Sequence, residues 1–301
     1  MKRVLITGAD GFTGRYLARQ MSLSGYEVHG LVRHSVAEPI AGISAIHIAD
    51  LTDVAGMLAV VEAVRPQKVA HLAAIAFVGH GDVDAIYRTN VVGTRNLLEA
   101  LVQRKAPVDA VLLASSANIY GNSVCGVLEE STPAAPANDY AVSKLAMEYV
   151  ARLYTERLPV VIARPFNYTG VGQAESFLIP KIINHVLRRA TVIELGNLEV
   201  AREFSDVRTV VACYQRLLDA DAIAVVGKTF NVCTGQTWTM NEVLALVRDI
   251  SGHPFEVRIN PMFVRQNEVI FLAGSNAKFN EAVGFVPQIA LTDTLRWMLL
   301  G

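Results

Sequence analysis

The chain has 301 residues, 52% of them hydrophobic, and a formal net charge of −1. A chain of this length and apolar content buries a large core, which excludes an intrinsically disordered segment. Its 27 Lys and Arg are scattered and balanced by 28 Asp and Glu, so no basic stripe for a nucleic-acid backbone is expected.

Met1-Lys2-Arg3 before Val4-Leu5-Ile6 imitates a signal peptide, but Gly8, Asp10 and Gly11 end the apolar run well short of an h-region. No later run reaches membrane-spanning length. Cys125, Cys213 and Cys233 form no Cys-x-x-Cys pair, and the histidines, including His29 and His34, show no metal-ligand spacing. Neither a disulfide framework nor a metal is expected, and a reducing cytoplasm is the expected location.

Val4–Thr7 is the first predicted strand, and Gly8-Ala9-Asp10-Gly11-Phe12-Thr13-Gly14 follows it directly, opening the next helix. Glycines at this spacing permit a tight strand-to-helix turn and let backbone amides approach a pyrophosphate at the helix N-terminus. Gly8, Gly11, Phe12, Thr13 and Gly14 are therefore candidate dinucleotide contacts. The second strand, Val28–Val32, ends at Arg33-His34-Ser35, with no carboxylate before Glu38. An arginine at that strand end suits the 2′-phosphate of NADP, so NADP is preferred and NAD is the alternative. Asp50 and Leu51, after the strand Ala45–Ile48, are placed to meet the adenine.

The strands Val69–Leu72, Val108–Ala114 and Val160–Ala163 follow, with helix-length segments between them. That alternation predicts parallel strands with right-handed crossovers: an α/β, doubly wound parallel sheet of Rossmann type, apolar throughout and covered on both faces. After Arg164-Pro165 the rhythm loosens. Residues 1–167 read as the NAD(P)-binding domain, which also receives elements from about 206–233, and 168–301 as mainly a smaller α/β substrate-binding region. Helices near Phe177–Arg189, Val207–Leu218, Met240–Ile250 and Leu291–Leu300 and a strand near Thr229–Val232 are expected there.

Tyr140-Ala141-Val142-Ser143-Lys144 sets a phenol and an ammonium on one helix face. A neighbouring cation favours the phenolate, so Lys144 is expected to lower the Tyr140 pKa toward a useful range. Ser115-Ser116-Ala117-Asn118 stands at the carboxyl end of the fifth strand, where open α/β sheets hold their ligands and a hydroxyl can stabilise a developing oxyanion.

With these residues in this order, the chain resembles the extended short-chain dehydrogenase/reductase family over essentially its whole length. His71-Leu72-Ala73-Ala74 and Asn90 with Gly93-Thr94 are similar to further motifs of that family. The resemblance implies that Ser116, Tyr140 and Lys144 are catalytic, and that Leu72, Ala73, Ala74, Asn90, Tyr140 and Lys144 join the cofactor contacts, Lys144 at the nicotinamide ribose. Arg164-Pro165-Phe166-Asn167 and Gly196-Asn197-Leu198 before Arg202-Glu203-Phe204 are most similar to the branch acting on GDP-linked deoxysugars. That likeness implies substrate contacts at Ser116, Ala117, Asn118, Asn167, Arg202, Arg265 and Glu268. It also implies a homodimer formed through helices at Asn90–Gln103 and Tyr140–Arg157.

Two departures narrow the expectation. Dehydratases of this branch carry Glu two residues after the active-site hydroxyl, where this chain has Asn118, and related reductases carry a polar residue where it has Ile75. The expected function is NADPH-dependent reduction of the 4-keto group of a nucleotide-linked 4-keto-6-deoxyhexose, GDP-linked in the first instance. The alternatives are an NAD-dependent 4-epimerase or reductase acting on a dTDP- or UDP-sugar, and a non-catalytic NADP-binding sensor.

Overall fold

The computed structural model describes residues 2–76, 81–104, 106–121, 126–263 and 271–301. Seven strands, β1 (Arg3–Thr7), β2 (Glu27–Val32), β3 (Ala45–Ile48), β4 (Lys68–His71), β5 (Ala110–Ala114), β6 (Val160–Pro165) and β7 (Thr229–Val232), form one sheet. Their order is β7-β6-β5-β4-β1-β2-β3 and every pair is parallel. The order reverses between β1 and β4, which opens a crevice at the carboxyl ends of those two strands.

The apolar runs of the strands send successive side chains to opposite faces, and both faces are buried. Val4, Ile6, Val28, Leu112 and Val161 pack on one face with α1 (Phe12–Leu23) and α7 (Val207–Asp219). Leu5, Leu31, Val69, Val111 and Leu113 pack on the other with α2 (Val54–Val64), α4 (Thr94–Gln103) and α5 (Asp139–Arg152). The expectation of two covered faces fails at β3. This edge strand leaves Ile46 and Ile48 exposed, and His47 hydrogen-bonds His29 of β2 at 3.0 Å.

α3 (Val83–Tyr87) runs into a π-helical turn at Arg88–Gly93 before α4. Such turns accumulate at functional sites because the extra residue redirects side chains. Beyond β6, α6 (Leu178–Leu187) packs with the helices Met240–Ser251 and Leu291–Leu300 over a separate core that includes Ile182, Val186, Val243, Val247 and Leu295. A four-stranded sheet, Thr237–Thr239, Ala201–Glu203, Phe271–Gly274 and Val127–Leu128, lies beside it. We propose the division after residue 167, with 206–233 returning to the first unit, on the ground that α7 and β7 belong to the large sheet. Among the described residues no helix is long and apolar enough to cross a membrane.

Candidate active site

Where β1 ends, Gly8 turns the chain with φ +66°, a conformation that strains any side chain. A Cβ on Gly8 would lie 2.9 Å from Ala73 Cα, and one on Gly14 would lie 2.1 Å from the Gly8 carbonyl oxygen. Only hydrogen fits at these points, so the turn after β1, the loop after β4 and the first turn of α1 share one small volume. Gly11 caps α1 with no side-chain hydrogen bond, which leaves the first-turn amides facing out of the helix end. That cradle suits the pyrophosphate of a dinucleotide in sign of charge and in the close approach that side-chain-free backbone allows.

At the end of β2, Arg33 Nε lies 3.0 Å from Asp50 Oδ2, with both side chains substantially exposed. Asp50 Oδ1 accepts from the Thr52 amide and hydroxyl at 2.8 and 2.7 Å, which holds its pKa below the ordinary carboxylate value, and Arg33 acts in the same direction. Leu51 packs on Gly93, where a Cβ would lie 2.7 Å from Leu51 Cβ.

The loop after β4, Leu72-Ala73-Ala74, is held by a chain of hydrogen bonds whose direction can be assigned. Thr7 Oγ1 accepts from the Leu72 and Ala73 amides at 3.1 Å each, and its single hydrogen goes to His71 Nδ1 at 2.8 Å. Thr94 gives its hydrogen to the Asn90 carbonyl at 2.7 Å, so His71 donates from Nε2 to Thr94 Oγ1 at 2.8 Å. The imidazole is therefore neutral with its proton on Nε2. Burial, reinforced by the charge on Lys144, lowers its pKa to about 3.

Asn90, in the π-helical turn, accepts from the Ile75 amide at 2.9 Å and donates to the Ile75 carbonyl at 3.1 Å and to Ser143 Oγ at 3.0 Å. Both of its side-chain hydrogens are thus occupied within the protein. Asn90, expected among the cofactor contacts, thereby fixes the backbone at Ile75 beside the loop Leu72-Ala73-Ala74.

β5 delivers Ser115 and Ser116 with side chains on opposite sides. Ser116 Oγ accepts from the Asn118 amide at 3.2 Å, capping the 3-10 turn Ala117–Tyr120, and lies near enough to Tyr140 to act on its phenol. Asn138 caps α5 through the Ala141 amide at 2.9 Å, which starts the helix so that Tyr140 and Lys144 both face the end of β5. Ser116, Tyr140 and Lys144 are all buried. The predicted lowering of the Tyr140 pKa by Lys144 is not what the structure shows. Burial raises the phenol above its ordinary value, opposed by the neighbouring Ser116 hydroxyl, while Lys144 Nζ donates to the Ala114 carbonyl at 2.7 Å. Burial also lowers Lys144 to about 8, against the nearby charge of Glu148.

Sequence reasoning missed the groups that brace this trio. Glu148, one turn beyond Lys144, is fully buried; it accepts from Ser115 Oγ at 2.5 Å and from Arg164 Nε and Nη2 at 2.9 and 2.7 Å. Arg164 Nη1 also donates to the Tyr120 hydroxyl at 2.9 Å, and Tyr120 donates to Asn231 Oδ1 at 2.7 Å. Removing one member of such a pair typically costs about 3–5 kcal/mol. The pair ties α5 to β5, β6 and β7.

On the substrate side, the Asn167 carbonyl accepts from the Ser205 amide at 2.9 Å. Arg202 lies on Ala201–Glu203 between the strands Thr237–Thr239 and Phe271–Gly274, its Nη1 donating to the Ala201 carbonyl at 3.1 Å. The buried Glu203 carboxylate receives the amides of Thr234, Gly235 and Gly274 at 2.8, 3.1 and 2.5 Å. These bonds oppose the burial that raises its pKa, and they lock the strand that carries Arg202. Arg265 and Glu268 lie outside the described residues.

The family profile of GDP-mannose 4,6 dehydratase matches residues 5–298. The chain belongs to that family. It is an NAD(P)-dependent oxidoreductase of the extended short-chain type. Among curated members, it is 31% identical to a GDP-6-deoxy-D-talose 4-dehydrogenase of Aggregatibacter actinomycetemcomitans, over 94% of this chain and 91% of the relative. It is 32% identical to a GDP-6-deoxy-D-mannose reductase of Pseudomonas aeruginosa, over 99% of this chain and 96% of the relative. A solved structure from Burkholderia cenocepacia, described as a candidate epimerase, is 50% identical, with TM-score 0.93 and coverage of 99% and 97% of the two chains. This member buries the serine, tyrosine and lysine at the end of β5 and carries Asn118 on the turn that Ser116 caps.

Proposed function

We propose that the chain reduces the 4-keto group of a nucleotide-linked 4-keto-6-deoxyhexose, GDP-linked in the first instance, to a GDP-6-deoxyhexose such as GDP-rhamnose. NADP is the proposed cofactor, with NAD as the alternative. The observation that carries this reading is the burial of Ser116, Tyr140 and Lys144 at the carboxyl end of β5, in the parallel sheet whose β1 ends in the glycine cradle. The dinucleotide, when bound, supplies or accepts the hydride. Tyr140 gives its proton to the sugar oxygen, Ser116 holds that oxygen by a hydrogen bond, and Lys144, its ammonium anchored on the Ala114 carbonyl, would bind the nicotinamide ribose.

Both curated relatives named above have names that specify redox chemistry on GDP-6-deoxyhexoses. The P. aeruginosa reductase structure, solved with NADPH, matches with 30% identity and TM-score 0.84 over 99% of this chain. Asn118 has no ionisable proton, which argues against loss of water. Arg33 would meet the 2′-phosphate; its exposed pair with Asp50 is worth little and gives way to a stronger anion.

A second reading, 4-epimerisation with retained NAD, is favoured by the Burkholderia relative and by Asp50, an acceptor suited to a free ribose 2′-hydroxyl. Deuteride at C4 of NADPH separates the two. Reduction places one deuterium at sugar C4 with stoichiometric NADP. Protein that purifies with NAD and interconverts C4 epimers without consuming cofactor refutes reduction.

The rest of the proposal concerns assembly and location. Val92, Val142, Tyr149 and Leu153 are exposed apolar side chains on the α4 and α5 side, and they suit burial against a second copy. Cys213 and Cys233 are free and buried, which fits the reducing cytoplasm.

A further inference from the structure

One aromatic side chain joins the nucleotide turn to the substrate side. Tyr168 lies in the short strand Tyr168–Thr169, which pairs with Ser205–Asp206 of the substrate-side segment. Its ring is parallel to that of Phe12, with centroids 6.1 Å apart and planes 11° apart, and its hydroxyl is 2.8 Å from Thr13 Oγ1. Tyr16 closes edge-on against Phe12 at 5.6 Å and against Trp297 at 6.0 Å. Gly170 lets the chain come this near, since a Cβ there would lie 2.7 Å from Val207 and 3.5 Å from the Phe12 ring. Phe12 and Thr13 are the first residues of α1, at the end left open by Gly11.

Each hydroxyl of the Thr13–Tyr168 pair has one hydrogen, so the bond runs in one of two directions. If Thr13 donates to Tyr168, Thr13 presents only lone pairs to the helix end, which repels an anion there. If Tyr168 donates, the Thr13 hydrogen is free to point at the anion, and the two bonds polarise one another. Burial raises the Tyr168 pKa, so the phenol keeps its hydrogen across the neutral range.

We propose that Tyr168 is a positioning residue for the dinucleotide, donating to Thr13 Oγ1 so that Thr13 donates to the pyrophosphate at the N-terminus of α1. The inference rests on the dinucleotide reading above. Neither residue alone signals the role, because 155 positions separate them in sequence.

The test is a double-mutant cycle read as the NADPH dissociation constant, by nicotinamide fluorescence, on the full chain. Tyr168→Phe keeps the stack on Phe12 and is expected to weaken NADPH roughly three- to tenfold. Thr13→Val should weaken it at least as much, and Thr13→Ser, which keeps the hydroxyl, should restore binding. In the double variant Tyr168→Phe/Thr13→Val, the loss should match that of Thr13→Val alone, because the two groups act in series. Melting by circular dichroism checks that every variant is folded. Additive losses, or a Thr13→Val loss with unchanged binding in Tyr168→Phe, would overturn the proposal. Failure of the wild-type chain to bind either NADPH or NADH would overturn the dinucleotide reading together with it.

Discussion

His71 makes the stability of this protein depend on pH in a way that can be calculated. The imidazole is buried and neutral, its Nδ1 accepting from Thr7 and its Nε2–H donating to Thr94, and its pKa is lowered to about 3. In the unfolded chain the same group titrates near 6.5. Between those values the unfolded state binds a proton that the folded state refuses, so stability falls as pH drops below about 6.5. The slope approaches 1.36 kcal/mol per pH unit, and at pH 5 the accumulated loss from this one group is about 2 kcal/mol. His47, lowered by burial and by His29, acts in the same direction. His71→Gln retains one donor and one acceptor but does not titrate. The variant is expected to be less stable at pH 7.5 through lost packing, with a disadvantage that shrinks by about 2 kcal/mol between pH 7.5 and pH 5. Urea unfolding of both proteins at half-unit pH steps measures this. Parallel stability curves would show that His71 takes up a second ring proton as readily in the folded state as in the unfolded one and would refute the hydrogen-bond directions assigned around it.

Three further outcomes are expected. Tyr140→Phe should keep the fold and NADPH binding but lower turnover by roughly two to four orders of magnitude, measured as loss of reduced nicotinamide; near-normal turnover removes Tyr140 from the chemistry. Arg33→Ala should weaken NADPH about tenfold or more while sparing NADH, because a charge-assisted contact to the 2′-phosphate is lost; titration of both cofactors decides it, and equal weakening contradicts the assignment. On the proposed dimer, the wild-type chain should sediment as a dimer and Tyr149→Glu combined with Leu153→Glu as a monomer, since like charges would replace the exposed apolar face of α5; a dimer in both would place the contact elsewhere, and a monomeric wild type would refute the proposal.

The large sheet was legible because its signals are local. Each strand expected before Arg164 is present within two residues at either end, and the glycine turn after β1 needs only seven consecutive residues to be recognised. Expecting two covered faces for every strand failed at β3. Ala45-Ile46-His47-Ile48 is apolar enough for a central strand, yet its position at the sheet edge is set by the crossover order and not by its composition.

The site divides in the same way. Ser116, Tyr140 and Lys144 could be placed together because a strand end and one helical turn align them. Glu148, Arg164, Tyr168 and Glu203 could not, since each acts through a partner distant in sequence: Arg164 and Tyr120 are 44 residues apart, Glu203 and Gly274 71 apart, and Tyr168 and Thr13 155 apart. The sign of the Tyr140 shift belongs with this second group. Helical spacing puts a cation near the phenol, and that argument on its own predicts a lowered pKa. Desolvation depends on everything packed over the ring, and here it outweighs the neighbouring Ser116 hydroxyl. Lys144 meanwhile directs its ammonium to the Ala114 carbonyl. Spacing along a helix therefore identifies which groups become neighbours, whereas the direction in which they shift one another is decided by the burial that the whole fold imposes.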